Sequence, residues 1–256
     1  MTTSVNITMA AFLAGRIPED AVGFVGVGSS GRSYELVSAI PLAAAHVART
    51  RGTRFRVQIG PLLDIDVAHP PDEWNDERVY AWDAAALVGS DANMDAFSRG
   101  EVSVGFVSGA QVDRWGNINV TQVHGPDGIR RLGGALAVTE HCAFARMVVI
   151  LADLSARTFV ESVDYVSGFG HRNGDIARGD LALPGPGPTL VVTDMAAFDF
   201  SETGMRLTTL FDDVEVDDVL DRMGFRPAIS EDLERFRADD AAKDLLGGYT
   251  LPGFAP

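Results

Sequence analysis

Four short polar side chains, Gln111, Asp113, Asn117 and Asn119, fall within nine residues of the segment 109–119, GAQVDRWGNIN. Three amides and a carboxylate at this density can orient a polar ligand or tie a loop to itself. The segment lies between two strand-like runs, 102–107 and 118–123, and its Asp, Gly and Asn mark a hairpin bend. A hairpin needs only a Gly or Asn where φ turns positive, so most of these polar groups are surplus to the turn. Two readings stay open: a self-bonded turn, or a loop that presents donors to a ligand.

Two glycine turns are the other places where chemistry could reside. The apolar run 22–27 ends in Gly26, Gly28, Ser29, Ser30 and Gly31, and a helical stretch follows from 34 to 50. The spacing is G-x-G-x-x-G, but no acidic residue ends a second strand about twenty residues later, as a dinucleotide site requires. What survives is general: glycines let a backbone approach a ligand, and a helix N-terminus favours anionic groups. Ser29 and Ser30 either serve that purpose or cap the helix. Further on, Glu161, Asp164 and Ser167 precede Gly168 and Gly170. This is either a strand ending in a glycine turn or a loop lining a cleft. An exposed Arg172 just beyond it has the chemistry to meet a phosphate.

Composition narrows the partners. The chain has 256 residues with 36 acidic against 21 basic, a net charge of −15, and a single lysine, Lys243. Such a surface argues against nucleic acid or an anionic membrane. One cysteine, Cys142, excludes an internal disulfide and fits a reducing cytoplasm. A small buried thiol is the expected role for it. The five histidines are scattered without ligand spacing, so no metal is expected. The N-terminus has no signal-peptide pattern and no window has the length of a membrane span, so a cytoplasmic location is expected.

Around these motifs the elements alternate. A short amphipathic helix is expected over 7–14, and strands over 22–27, 55–59, 102–107, 147–151 and 190–192. Helices are expected over 34–50, 91–99, 216–223 and 231–246. Continuous apolar strands between helices predict an α/β fold with a mainly parallel central sheet flanked by helices. The segment 109–131 reads as a hairpin excursion on the edge of that sheet. The proline- and glycine-rich stretch 183–188 is too short to separate domains, so residues 1–256 are expected to form one domain.

The segment GAQVDRWGNIN resembles the signature of β subunits in the type I CoA-transferase family, that of glutaconate CoA-transferase among them. The stretches TFVESVDYVSGFG at 158–170 and LVVTDMAAFDF at 190–200 are similar in order and spacing. The resemblance implies a CoA-transferase-like β subunit acting on an acyl-CoA thioester, by CoA transfer or a derived decarboxylation or hydrolysis. It implies no bound cofactor, coenzyme A thioester as substrate, and an α subunit as partner in a heterodimer or heterotetramer. It also implies a cleft that brings Gln111, Asp113, Gly116, Asn117, Asn119, Gly168 and Gly170 beside Gly26, Gly28, Ser29 and Ser30. In family members whose β subunit carries the nucleophilic glutamate, that residue ends the strand after the first helix, next to a glycine. Here the residue before Gly60 is Ile59, and Gln58 is the nearest polar group. Isoleucine cannot attack a thioester. The alternative is therefore a non-catalytic partner subunit or an acyl-CoA-binding protein.

Overall fold

A computed structural model of the chain describes residues 2–28, 31–71 and 77–254. They divide into two compact units, Met1–Phe106 with Arg237–Pro256, and Val107–Phe236. The fold is α/β, with a mainly parallel central sheet flanked by helices.

In the first unit, α1 (Thr2–Ala14) precedes β1 (Ala21–Val25). The expected amphipathic helix is instead buried along its whole second half, Ile7 to Ala14, because α3 packs against it. After α2 (Gly31–Tyr34) comes a π-helical turn, Glu35–Ala39, running directly into α3 (Ile40–Thr50). Pro41 has no N–H to continue the ordinary ladder, and the Ile40 N–H reaches back to the Glu35 carbonyl across the wider turn. Strands β2 (Phe55–Ile59), β3 (Leu62–Ile65) and β4 (Ala84–Leu87), helix α4 (Ser90–Ser98) and β5 (Val104–Val107) follow. β1 runs parallel to both β2 and β5, while β3 and β4 are added antiparallel outside β2. Arg49 on α3 ties this together. Its guanidinium donates to the Phe55 and Ile65 carbonyls at 2.7 and 2.9 Å and to Asp64 Oδ1 at 2.6 Å. The returning C-terminal segment seals the unit: the Tyr249 hydroxyl donates to the Val67 carbonyl, and Leu251 and Phe254 are buried.

The second unit opens with β6 (Gln111–Asp113) and β7 (Ile118–Asn119), then an exposed hairpin of β8 (Gln122–Gly125) and β9 (Gly128–Arg131). Helix α5 (Val138–Phe144) leads into β10 (Met147–Ala152) and the short β11 (Phe159–Val160). A second small hairpin, β12 (Arg172–Asn173) with β13 (Ile176–Ala177), precedes β14 (Pro188–Thr193). β15 (Ala196–Ser201), β16 (Gly204–Phe211), α6 (Val216–Leu220) and β17 (Ala228–Phe236) complete it. β10 and β14 are parallel; β15 and β16 extend them antiparallel, and β17 returns parallel to β16. Phe159, Phe198, Leu207, Val191 and Ile118 fill the core.

Two expectations are corrected here. Residues 231–246 do not form one helix: β17 runs through Phe236, and only α7 (Asp240–Gly247), in the first unit, is helical. The apolar residues Ile229, Leu233 and Phe236 have helix-like spacing in the sequence, and the strand accommodates it with an irregularity. Leu207 pairs with Ile229 but Thr209 pairs with Glu234, so the residues between bulge out of register. The segment 109–131 is also not an excursion on the central sheet. β6 pairs antiparallel with β7 and parallel with β11, making a separate three-stranded sheet.

Candidate active site

In the first unit the glycine turn is fastened by the π-helical turn. Ser38, fully buried, accepts from the Gly28 N–H at 2.9 Å and donates to the Gly26 carbonyl at 2.7 Å. A Cβ on Gly28 would lie 2.4 Å from the Tyr34 Cα, so only glycine lets this loop touch the helix. Ser29 and Ser30 lie outside the described residues.

The end of β2 is the second feature of this unit. Ile59 pairs with Val25, is fully buried, and precedes Gly60 at a positive φ of 50°. The strand therefore ends where the sequence indicated, but the polar group there is Gln58. It is 2 % exposed, and its amide donates to Asn93 Oδ1 on α4, whose own amide donates to the Gly60 carbonyl at 2.6 Å. Gln58 and Asn93 line a cleft of about 420 Å³ with Val22, Arg56, Leu63 and Ala96. Asp64 and Glu101 line the same cleft, but each is paired with an arginine, Arg49 and Arg99, and among the described residues no carboxylate is hydrogen-bonded to Gln58. The signal in the sequence was a lone amide in the apolar strand FRVQI; nothing marked Asn93 as its partner.

In the second unit the four polar residues of the loop are brought together with Gly168 and Gly170, and all four are buried. They make two knots. In the first, the Gln111 amide donates to Asp164 Oδ2 at 2.9 Å. Gln111 Oε1 accepts from Asn119 Nδ2 at 2.7 Å and from the Asp164 N–H at 3.0 Å. Asn119 also donates to the Gln122 carbonyl at 2.6 Å and accepts from the Thr121 N–H at 3.0 Å. In the second knot, Asp113 accepts from the Trp115 N–H at 2.9 Å, the Asn117 N–H at 3.0 Å and Asn117 Nδ2 at 2.8 Å. Asn117 donates on to the Arg172 carbonyl at 2.7 Å and accepts from the Gly170 N–H at 2.8 Å. Gly116 closes the turn, its N–H donating to the Asp113 carbonyl at 2.9 Å. Burial pushes the Asp113 carboxyl above the ordinary carboxylate range, against the pull of its hydrogen bonds to the Asn117 side chain and to the backbone of Asn117, Trp115 and Val163. The side chains thus hold the loop's own backbone and fix 109–122 against 164–172. Gly168 exchanges backbone bonds with Ile118, at 2.9 and 3.0 Å.

Two residues around this loop are structural. Arg178, buried, donates to the carbonyls of Gly185, Phe169, Gly170 and Cys142. Cys142 is fully buried and its thiol is pushed up to about 12 by that burial, so at neutral pH it is not a nucleophile. The native chain should therefore resist a charged aromatic disulfide reagent at pH 8, and should react with one equivalent once unfolded in guanidinium. Rapid labelling of the native chain would contradict this. Among the described residues no three or more His, Cys, Asp or Glu gather as metal ligands, and no helix is long and apolar enough to cross a membrane.

No family model matches the chain. It is 30 % identical over 242 residues to the β subunit of 3-oxoadipate CoA-transferase from Pseudomonas knackmussii, covering 92 % of this chain and 88 % of that one. It is 28 % identical over 241 residues to the β subunit of glutaconate CoA-transferase from Acidaminococcus fermentans, covering 88 % of each. The crystal structure of the Acidaminococcus fermentans glutaconate coenzyme A-transferase superposes with a TM-score of 0.80 at 25 % identity, over 98 % of this chain and 96 % of that one. The decarboxylase AibA/AibB shares the fold, with a TM-score of 0.76 at 21 % identity over 94 % of this chain and 91 % of that one.

Proposed function

The chain belongs to the CoA-transferase family as a β subunit, and from that premise we propose that it works on a coenzyme A thioester without supplying the carboxylate nucleophile. The single observation that carries this is the end of β2, where a neutral amide pair, Gln58 and Asn93, stands at the cleft and Ile59 is buried. An amide nitrogen has its lone pair delocalised into the carbonyl and cannot open a thioester. It can donate to or accept from a carbonyl and hold it in place, which is the chemistry of orientation and polarisation. Catalysis is then hydrolytic or decarboxylative, or it draws an acid or base from a second subunit.

That second subunit is an α subunit, since both sequence relatives are themselves named as one subunit of a larger enzyme. The location is the cytoplasm, consistent with the single buried Cys142. In the second unit, Gln111, Asp113, Gly116, Asn117, Asn119, Gly168 and Gly170 form the floor of the substrate site. Their role is to hold the backbone in place, since the side chains of Gln111, Asp113, Asn117 and Asn119 are spent on one another, on Asp164 and on the loop backbone. In the first unit, Gly26 and Gly28 offer backbone to the acyl end, and Ser29 and Ser30 are assigned to it from the sequence. The test is to co-express the chain with the CoA-transferase-type α subunit it co-purifies with, then to assay each alone and the pair on a panel of acyl-CoA thioesters. Turnover by the pair alone is the expected result. A pair inert on every thioester would favour the non-catalytic alternative.

A further inference from the structure

Asn93 sits in the first turn of α4, yet its side chain is buried and turned towards the sheet. A short amide inside a helix competes with the helix's own hydrogen bonds, so a buried one needs definite partners. Asn93 has two, and together they fix its sense. The Gly60 carbonyl can only accept, so Asn93 must turn Nδ2 towards it and Oδ1 towards Gln58. Gln58 must then offer an N–H to that oxygen. The backbone of Gln58 is already held, because β2 lies between β1 and β3, with Gln58 opposite Phe24 on one side and Leu63 on the other. The terminal amide keeps a rotation of its own, with two broad wells half a turn apart that exchange its oxygen and its nitrogen. Among the described residues nothing bonds Gln58 Oε1 or the second amide hydrogen, and Gln58 lines the cleft.

We propose that Asn93 is a positioning residue: by selecting one of the two amide orientations of Gln58, it fixes where the cleft meets an acceptor and where it meets a donor. The inference rests on the reading of Gln58 given above and adds the residue through which α4 controls it. Fixed dipoles stabilise a reacting group only while donor and acceptor keep their places. A flipped Gln58 amide would put its oxygen where its nitrogen stood, against a carbonyl oxygen it should hold. The sense of the bonds runs outward from the backbone, from the Gly60 carbonyl through Asn93 to Gln58 and the cleft. The charged groups lining the cleft are Arg56, Asp64, Arg99 and Glu101. Among the described residues none of them is hydrogen-bonded to either amide, so the neutral pair and Gly60 set the orientation by themselves.

The test is a kinetic cycle on the assembled enzyme, with Asn93→Ala, Gln58→Ala and the double variant assayed on one acyl-CoA and each checked for folding by thermal melting. Asn93→Ala should lower kcat about tenfold or more, the scale of a misoriented group. Added to Gln58→Ala, it should lower kcat less than about twofold further, since residues that act as a unit are not additive. Asn93→Asp, of nearly the same shape, gives a second readout. Burial keeps the new carboxyl neutral above the ordinary carboxylate range. Neutral, it donates to Gly60 and accepts from Gln58 as asparagine does; ionised, it can only accept, and it sets a negative charge against the Gly60 carbonyl. Its kcat should therefore approach the wild type at low pH and fall as pH rises, a step absent from the wild type and from Asn93→Asp combined with Gln58→Ala. Wild-type kcat in Asn93→Ala would overturn the proposal. Equal losses in the two backgrounds would overturn it too, by leaving Asn93 as a tie for the strand end alone. A wild-type enzyme inert on acyl-CoA, or a Gln58→Ala enzyme with full kcat, would instead remove the reading on which the proposal rests, and both results appear before any Asn93 variant is compared.

Discussion

A chain carrying Gly170→Ala should lose the packing of its second unit. A Cβ at this position would lie 2.1 Å from the Trp115 carbonyl oxygen, 2.6 Å from the Gly116 carbonyl carbon and 2.7 Å from the Asn117 nitrogen. All three are backbone atoms, so no rotamer change relieves the clash, and the two loops must move apart. That separation breaks the Gly170 N–H bond to Asn117 Oδ1 and withdraws Asn117 from Asp113, leaving a buried carboxyl with fewer donors. Overpacking combined with orphaned buried polar groups falls among the severe single substitutions, above about 4 kcal/mol. For a chain of this size the midpoint of thermal unfolding should drop by about 8–16 °C. Gly179→Ala serves as control, since a Cβ there meets nothing within 4 Å. Differential scanning calorimetry on both variants decides it. A midpoint for Gly170→Ala within the scatter of Gly179→Ala would contradict the loop geometry.

The second large effect is on activity. In the assembled enzyme, Gln58→Ala should reduce turnover of an acyl-CoA by about a hundredfold or more, the scale of losing a positioned donor beside a reacting carbonyl. The neighbouring Ile59→Val should change turnover little, because that side chain is buried in the sheet and takes no part in the cleft. Truncating Gln58 also leaves Asn93 Oδ1 without its donor, which destabilises by about 1–3 kcal/mol. Folding must therefore be checked separately by near-ultraviolet circular dichroism. Steady-state kinetics separates the two contributions: a folded Gln58→Ala enzyme with wild-type kcat would remove Gln58 from the chemistry.

Much of this was legible in the sequence because it depended on local patterns. The strands at 22–27, 147–151 and 190–192 are buried apolar runs and that at 55–59 is mostly apolar, and the structure places each within about two residues of its expected bounds. The density of amides at 109–119 pointed to a special loop, and the loop is special, but as a self-bonded knot. Whether Gln111 or Asn117 turns outward or inward depends on partners at Asp164, Gly170 and Arg172, more than forty positions away. No local pattern carries that information. β17 was misread for a related reason: its charged residues and its three- and four-residue apolar spacing suit a helix, and only pairing with β16 makes it a strand. The strand end at Ile59 was placed correctly, yet the residue that matters there is its neighbour Gln58, whose partner Asn93 arrives from α4.

On the reading proposed above, this chain acts on a thioester without forming a covalent adduct on one of its own carboxylates. The most direct measurement is to incubate the assembled enzyme with an acyl-CoA, trap with hydroxylamine or borohydride, and map modified peptides by mass spectrometry. The thioester should be consumed while no Glu or Asp of this chain is modified. A trapped Glu or Asp in this chain, formed at a rate that matches turnover, would contradict it and restore transfer through a carboxylate of this chain.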